Sequence, residues 1–371
     1  MMPSSRFIFG SLPWYSVLIV TGVCLALLIA SREEKRLGLP KDTVVDLALW
    51  VIPAGIVGAR LYYVAFAWET FRHHPLSILY VWQGGLAIYG AVIGGALSAL
   101  LFSRVKKMNV LTLTDIIVPG LLLAQAVGRW GNFFNMEAYG LPVTNPAWQF
   151  FPAAVRIPAP GGEKWHMATF FYESMWNLAG FIVLMLTRRR MTRPGDATLW
   201  YCLLYGSGRM IIEGLRTDSL MATDTLRVSQ LLSAALCLAA VAVFALRTLK
   251  GLSRRKMASA LISGVIVAAL MALLARYSAF TGYPPLMVLS TLLAHVSGIA
   301  FYASTGKRLA LLGPLGVKVN FLLYILLPAA SMPAWAISTV LTAGLSVLLL
   351  LTGVGLYAPE APSCKRSSTV S

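Results

Sequence analysis

The chain has 371 residues, of which 58% are hydrophobic and only 12% are charged, and its mean hydropathy is +0.73. Soluble domains carry about 25% charged residues, so this composition excludes an ordinary soluble domain and predicts an all-α, polytopic transmembrane protein. The net charge of +17 lies mostly in short clusters between apolar runs, which fits the positive-inside rule better than a nucleic-acid interface. We expect membrane lipids, and no nucleic acid, among its partners.

Apolar runs divide the chain into candidate membrane spans, each of which needs roughly 20 residues. Seven runs fall at residues 15–30, 44–68, 78–102, 111–134, 169–186, 198–213 and 229–246. Four more follow at residues 258–275, 286–303, 309–330 and 335–356. We predict a seven-helix core in residues 1–250, an additional transmembrane module in residues 251–357, and a disordered cytoplasmic tail in residues 358–371.

Basic clusters between the runs predict the orientation of the chain. Clusters that contain Arg104, Arg188 and Arg254 follow the third, fifth and seventh runs, on the same side as Arg32. The positive-inside rule makes this side cytoplasmic, so the N-terminus is predicted outside and the C-terminus inside. The segment near residues 136–167 then lies outside. Because it is rich in proline and glycine, we expect an extracytoplasmic loop.

The four cysteines give no framework for disulfides or a metal. The sequence contains no C-x-x-C pair and no cluster of cysteine with histidine, so neither a disulfide scaffold nor a zinc site is predicted. We expect no metal and no cofactor.

The most informative stretch reads G-R-W-G-N-F-F-N-M-E-A-Y-G over residues 128–140. It places Arg129, Asn132, Asn135 and Glu137 at the end of an apolar run. An arginine in the middle of a membrane helix costs about 2.5–3.5 kcal/mol on insertion scales. A chain that accepts this cost usually has an anionic partner for the guanidinium group.

A second group of charges occurs in the sixth span, within G-R-M-I-I-E-G-L-R-T-D over residues 208–218. At about 100° per residue, Arg209, Glu213 and Arg216 fall on one helical face. One interpretation is a buried ion pair that holds two helices together. The other is that the two arginines leave a surplus of positive charge, which joins Arg129 in an anion-binding cavity.

Other polar residues near membrane depth each have two interpretations. Tyr15 is either part of an interfacial aromatic belt or a site residue. Arg60 either extends to the interface or has a functional role. Gly84 and Gly85 either allow close helix packing or interrupt a helix and expose N–H groups to an anion.

These motifs together resemble those of one family. The stretch over residues 128–140 looks like the signature G-R-x-G-N-F-x-N-x-E-x-x-G of bacterial prolipoprotein diacylglyceryl transferases. The motifs G-A-R-L-Y-Y, W-Q-G-G-L-A-I-Y-G, F-F-Y-E-S and G-R-M-I-I-E-G-L-R-T-D-S occur in the family's order. The resemblance covers about residues 1–246, and it gives no account of residues 247–371.

The resemblance implies a transferase of the bacterial cytoplasmic (inner) membrane. Family members move a diacylglyceryl group from phosphatidylglycerol to the thiol of the lipobox cysteine in a preprolipoprotein signal peptide. A thioether forms and glycerol 1-phosphate leaves, in the first step of lipoprotein maturation. Arginine matches the geometry of phosphate with paired hydrogen bonds, which agrees with the residue types found here.

The family's functional residues are carried over by motif position. Arg129 and Arg209 are expected to hold the lipid phosphate, while Glu137 and Glu213 are expected to position these arginines. Asn132 would orient the headgroup or ester oxygens. The remaining residues expected to bind phosphatidylglycerol are Tyr15, Arg60, Gly84, Gly85, Asn135, Gly140 and Arg216, with Gly140 important for the backbone at the start of the loop.

One departure from the family concerns the group that activates the thiol. Some members carry a histidine where this chain has Tyr89, and tyrosine, with an ordinary pKa near 10, is a poor base at neutral pH. Tyr89 either donates a hydrogen bond only, or a glutamate is the base, or the positive field of Arg129 and Arg209 promotes loss of the thiol proton. We favour the last route. His166 is interpreted as a loop residue.

Two other functions compete with the transferase. The arginines could line the pathway of a membrane transporter for an anionic substrate, or the chain could be a lipid-binding scaffold without catalysis. The sequence shows no internal repeat, which weighs against a transporter.

Overall fold

The computed structural model describes residues 5–8, 10–191, 193–218, 220 and 227–249. The additional transmembrane module and the tail predicted after residue 250 lie outside the described residues. The helices are α1 (Trp14–Leu37), α2 (Thr43–Phe66), α3 (Trp68–Phe71), α4 (Ile88–Val105), α5 (Val110–Asn135), α6 (Thr169–Thr187), α7 (Asp196–Glu213) and α8 (Val228–Leu249). Short 3-10 helices cover Pro75–Leu79, Val81–Gln83, Pro146–Trp148 and Arg188–Arg190.

Each of the seven apolar runs predicted for the core corresponds to a helix of the structure. Five of the described helices, α1, α2, α4, α5 and α6, are long and apolar enough to cross a membrane. The described chain is therefore a mostly helical membrane protein.

The predicted third span differs most from its helix, because α4 begins only at Ile88. The preceding residues form a 3-10 turn that ends at Gly84, and Gly84 and Gly85 have φ angles of 88° and 67°. Residues other than glycine rarely adopt these positive angles. Of the two interpretations of this glycine pair, the backbone agrees with an interruption of the helix.

Strands correct the all-α prediction. Strands β1 (Phe7–Ile8) and β2 (Leu12–Pro13) form one small antiparallel sheet, and β3 (Ala154–Ala159) and β4 (Gly162–Met167) form another. In the second sheet Ala154 pairs with Met167 and Ala159 with Gly162. The segment near residues 136–167, predicted as a loop, thus contains a β-hairpin. Pro160 and Gly161 make the hairpin turn, and Gly161 and the first residue of β4, Gly162, have φ angles of 87° and 120°.

The chain divides into two compact units, with boundaries inside α1 and α5. The unit Val20–Ala124 depends on a close crossing of α2 with α4. A Cβ atom on Gly58 would collide with the Gly90 carbonyl oxygen, and one on Gly94 would collide with that of Ala54. Small residues at such crossings let helix backbones approach closely, and Gly58 and Gly94 allow this approach here.

The other unit comprises the described residues of Met1–Ile19 and Gln125–Ser371. Polar side chains fasten its helices to one another. The Ser174 hydroxyl donates to the Ala126 carbonyl at 2.8 Å and accepts from Trp130 Nε1 at 3.1 Å, which joins α6 to α5. Trp176 Nε1 donates to the Leu204 carbonyl at 2.7 Å and joins α6 to α7. These contacts fix the helices that carry the candidate site.

Candidate active site

A buried carboxylate joins the two arginines that the sequence singled out. Glu173 on α6 accepts Arg129 Nη2 at 2.6 Å and Arg209 Nη1 at 3.0 Å. Its side chain is only 3% exposed, whereas those of Arg129 and Arg209 are 20% and 15% exposed. Tyr205 on α7 also forms a side-chain hydrogen bond with Arg129. The structure therefore brings Arg129 of α5 and Arg209 of α7 to one point.

The row of charges continues along α7 and past its end. Glu213 contacts Arg209 Nη2 at 2.8 Å and Arg216 Nη1 at 3.5 Å. Arg216 in turn binds Asp218 with Nε at 3.0 Å and Nη2 at 3.1 Å. Glu213, which we predicted to position Arg209, thus forms an ion pair with it.

Asp218 lies outside the membrane-spanning helices and has a perturbed pKa. Burial alone would raise this pKa, but the hydrogen bonds and positive charge of Arg216, together with the Ala138 N–H, outweigh burial. The pKa of Asp218 is consequently held below its ordinary value. The carboxylate is ionised at neutral pH and keeps Arg216 in place.

The positive and negative charges of this cluster are equal in number, contrary to the positive surplus considered for the sixth span. Arg129, Arg209 and Arg216 alternate with three carboxylates, those of Glu173, Glu213 and Asp218. The positive surplus expected from the sixth span is therefore balanced within the cluster. A buried charge is costly unless it is paired, and Glu173 supplies the pairing that the sequence analysis did not include. Around Glu173 and Glu213 the guanidinium groups of Arg129 and Arg209 stay partly exposed while both glutamates are buried. The third carboxylate, that of Asp218, is itself exposed.

The end of α5 forms a tight reversal that shapes the second part of the site. The N–H of Glu137 donates to the Asn132 carbonyl and that of Met136 to the Phe133 carbonyl, at 3.0 and 3.1 Å. This is the pattern of a Schellman cap. Met136 occupies its left-handed position with a φ of 53°, which costs a residue with a side chain about 1–2 kcal/mol.

The reversal folds Glu137 back onto the two asparagines of the motif. Its Oε1 accepts the amides of Asn132 at 2.9 Å and Asn135 at 3.2 Å. Arg6 donates to the carbonyl of Asn135 at 3.0 Å, a favourable place for a cation at a helix C-terminus. In this structure Glu137 therefore orients amides, and the predicted support of Arg129 comes from Glu173.

Gly140 links this reversal to the charge cluster. It forms a β-bridge with Arg216, and its N–H donates to the Met167 carbonyl at 2.8 Å. A Cβ atom here would lie 2.8 Å from Thr169 Cγ2 and 2.9 Å from the Leu215 carbonyl oxygen, distances that real Cβ contacts do not show. The backbone role predicted for Gly140 thus has a direct steric cause.

Tyr15 lies against the motif in the same unit. A Cβ atom on Gly131 would collide with the Tyr15 ring, so the ring occupies the space that this glycine leaves. The neighbouring Trp14 stacks on Phe134 with ring centroids 4.7 Å apart. Contact with the motif favours the interpretation of Tyr15 as a site residue over an aromatic belt.

Four predicted site residues belong to the unit Val20–Ala124, namely Arg60, Gly84, Gly85 and Tyr89. Arg60 is 6% exposed and donates to the carbonyls of Ser77, Ile78, Gly84 and Gly85, at 2.7, 2.8, 2.7 and 3.1 Å. A guanidinium group has five N–H donors, so most of them are used to shape this segment. The contacts favour the structural interpretation of Arg60. Tyr89 lies in the first turn of α4, with its ring 6.3 Å from that of Tyr62.

His166, predicted as a loop residue, lies on β4 instead. Its Nδ1 is 2.8 Å from the Gly140 carbonyl oxygen, and its ring meets Tyr139 edge to face. These contacts hold the hairpin to the segment that follows α5. Within the described residues there is no group of three or more histidine, cysteine, aspartate or glutamate side chains that could hold a metal ion.

Sequence reasoning missed Glu173 and Asp218. A signal for Glu173 was present, because a single carboxylate in an apolar span needs a cationic partner, and F-F-Y-E-S was already among the family motifs. For Asp218 the signal was weaker, since an acid two residues after Arg216 is equally typical of a solvated turn.

The segment that contains these residues is similar in sequence to known proteins. A model of the prolipoprotein diacylglyceryl transferase family matches residues 6–246. An Enterococcus faecalis protein named phosphatidylglycerol–prolipoprotein diacylglyceryl transferase is 45% identical over 238 residues, which cover 63% of this chain and 86% of that protein. Proteins of the same name from Listeria monocytogenes and Halalkalibacterium halodurans are 43% and 42% identical, covering 65% and 66% of this chain and 87% and 85% of theirs. The matched segment exceeds half of the chain, which therefore belongs to the prolipoprotein diacylglyceryl transferase family.

Proposed function

We propose that this membrane protein transfers the diacylglyceryl group of phosphatidylglycerol to the lipobox cysteine of a preprolipoprotein signal peptide. The names of its relatives state both substrates, phosphatidylglycerol and prolipoprotein. In the reaction the cysteine sulfur forms a bond to the glyceryl carbon, and the bond from that carbon to the phosphate oxygen breaks. Glycerol 1-phosphate leaves with the electron pair, and the thiol proton passes to a base or to solvent.

The observation that carries this proposal is the joint hold of Glu173 on Arg129 and Arg209. Two guanidinium groups fixed by one carboxylate can present their remaining N–H groups to a phosphate without reorganising. Preoriented donors of this kind stabilise the charge that develops on a leaving group in a low-dielectric site. Arg129 and Arg209 thus bind the phosphate, and Asn132, held by Glu137, orients the headgroup or ester oxygens.

The thiol is activated, in this proposal, by the field of the guanidinium groups rather than by Tyr89. Replacing Tyr89 with phenylalanine removes the phenol but keeps the ring. We expect the pH–rate profile of Tyr89→Phe to keep the shape and midpoint of the wild-type profile. If the pH dependence of the rate disappears in this variant, the Tyr89 phenol is the base that activates the thiol.

The site is expected to operate at the outer face of the bacterial inner membrane, with the N-terminus outside. The resemblance and the basic clusters support this placement, because phosphatidylglycerol is a membrane lipid and the clusters follow the positive-inside rule. A transporter or a non-catalytic lipid scaffold would use the same arginines, but the relatives that match the core carry the name of a transferase.

A purified-protein assay with phosphatidylglycerol vesicles and a lipobox peptide tests the proposal. Wild-type protein should form the thioether product, and Arg129→Ala should reduce kcat/KM by about a hundredfold or more, the scale of losing a preoriented donor. The matched control is Arg72→Ala, because Arg72 is an exposed arginine paired with Glu69 in the other unit. Thioether formation that survives in Arg129→Ala would remove Arg129 from the site, and no product from wild-type protein would refute the transferase function.

A further inference from the structure

Two amide side chains in the unit that carries the charge cluster have buried polar atoms without a hydrogen-bond partner among the described residues. Asn177 on α6 is 1% exposed, and among the described residues neither its Nδ2 nor its Oδ1 has a hydrogen-bond partner. Gln125 on α5 donates through Nε2 to the Tyr201 hydroxyl at 3.0 Å, but its buried Oε1 lacks a partner in the same described part. Buried polar groups without hydrogen bonds are strongly unfavourable, above all inside a membrane.

Helix geometry places these amides at one level beneath the arginines. Glu173 contacts Arg129 and Arg209, so these three residues of α5, α6 and α7 lie at a similar depth along the helix axes. The contacts of Ser174 with Ala126 and of Trp176 with Leu204 show that the chain runs antiparallel along both helix pairs. A step of four residues is about one turn, or roughly 5.4–6 Å along the axis.

The same step on each helix leads to three polar residues. It leads from Glu173 to Asn177, from Arg129 to Gln125, and from Arg209 to Tyr205. The hydrogen bond from Gln125 to Tyr201, which lies one turn beyond Tyr205 on α7, shows that α5 and α7 are in contact at Gln125. Tyr205 itself reaches upward to Arg129. A polar layer thus lies one turn beneath the charge cluster.

The chemistry of the unpaired atoms selects the ligand. Asn177 offers two N–H donors and one acceptor, and Gln125 offers one acceptor. A water molecule can both accept from Asn177 and donate to Gln125, whereas an ester carbonyl can only accept and a metal ion cannot pair with an N–H group. With Asn177 1% exposed, a water-sized molecule also fits the burial better than part of a lipid does.

We propose that Asn177 and Gln125 bind an internal water one helical turn beneath Glu173, and that this hydrated layer positions Arg129 through Tyr205. Internal waters commonly make about three hydrogen bonds to polar groups that would otherwise be unpaired. Asn177 is therefore a positioning residue, not a catalytic one. The water site stands without the proposed function, and only the kinetic part of the test rests on it.

An experimental map of the full chain in phosphatidylglycerol nanodiscs, at a resolution that shows ordered water, tests the binding site directly. We expect a density peak within hydrogen-bonding distance of the Asn177 amide and Gln125 Oε1, and its loss in Asn177→Leu. A direct hydrogen bond between the two amides, or a lipid ester carbonyl in this position, would overturn the water site. This result is independent of whether the protein is a transferase.

The positioning role is tested by kinetics with Asn177→Leu, which keeps the side-chain volume but removes the amide. We expect KM for phosphatidylglycerol to rise about tenfold, with a smaller change in kcat. A tenfold change corresponds to the loss of one hydrogen bond that supports the position of Arg129. Asn177→Ser, which keeps a donor and an acceptor, should restore most of the affinity. Ser103→Ala, a deletion of a buried hydroxyl in the other unit, is the control. An unchanged KM in Asn177→Leu would refute the positioning role.

Discussion

At the residue scale, the carboxylate of Glu173 holds the two arginines that we propose as the phosphate-binding groups. Arg129 and Arg209 come from different helices, and each approaches Glu173 within 3.0 Å. Long side chains in a partly open site would otherwise sample many rotamers, and ordering them costs free energy on binding. The carboxylate therefore reduces the number of rotamers open to both arginines before any ligand binds.

Glu173→Gln tests this role. The amide keeps the shape of the side chain but removes the charge shared by two arginines, so we expect kcat/KM to fall about a hundredfold, because breaking a buried ion pair leaves uncompensated charge. The measurement is the thioether assay, with Glu163→Gln as the control. Glu163 is exposed and 3.6 Å from Arg156, so activity of that variant should stay within about twofold. Equal activity of the two variants would contradict the role of Glu173.

At the element scale, glycine determines how closely α2 and α4 approach. Gly94 and Gly95 are neighbours on α4, but they face different surroundings. A Cβ atom on Gly94 would collide with the backbone of Ala54, whereas one on Gly95 would lie 3.5 Å from Val51 Cγ1 in ordinary contact. The two positions form a matched pair within one helical turn.

This pair gives a stability prediction. Gly94→Ala should destabilise the protein by about 2 kcal/mol, since overpacking a tight interface typically costs 1–3 kcal/mol. Gly95→Ala should have no measurable cost and gains the better helix propensity of alanine. Thermal unfolding in detergent would show the difference as a lower Tm for Gly94→Ala alone. A similar Tm for both variants would mean that the helices move apart without penalty.

The helices were easier to predict from the sequence than the strands and the contacts of the site. Apolar runs predicted the helices well, because a membrane helix must be continuous and apolar over its length. The hairpin Ala154–Met167 was missed, since β3 contains Pro158 and β4 is rich in polar residues and begins with a glycine. Arg60 had no unique interpretation, because its four carbonyl partners come from a segment whose path depends on Gly84 and Gly85. At the site, residue types predicted the arginines, but the pairing through Glu173 required the packing of three helices.

At the scale of the whole molecule, the family match ends at residue 246 and α8 ends at Leu249. Helix α8 is tied to α7 near this point, because Arg247 Nη1 contacts Asp196 at 2.7 Å and Nη2 donates to the Pro194 carbonyl at 2.9 Å. The contacts that assemble the candidate site all lie before this junction.

Deletion of residues 252–371 tests whether the remainder of the chain takes part in catalysis. We expect kcat/KM in the thioether assay to stay within about threefold of the full chain, since the cluster and its support are retained. Adding Arg247→Ala to the deletion should lower Tm by removing the link between α8 and α7. Loss of turnover by the deletion alone, in protein that keeps its Tm, would assign the C-terminal region a role in the reaction.

The turn of the hairpin β3–β4 has a practical consequence for labelling the protein. Nothing lies within 4 Å of a Cβ atom built on Gly161 or Gly162, and exposed tips of this kind tolerate inserted sequence. Meanwhile the base of the hairpin is held at Gly140 by His166 and Met167. An epitope placed between Pro160 and Gly161 would therefore be accessible to antibody while leaving the charge cluster undisturbed, and would report on intact cells which side of the membrane it faces.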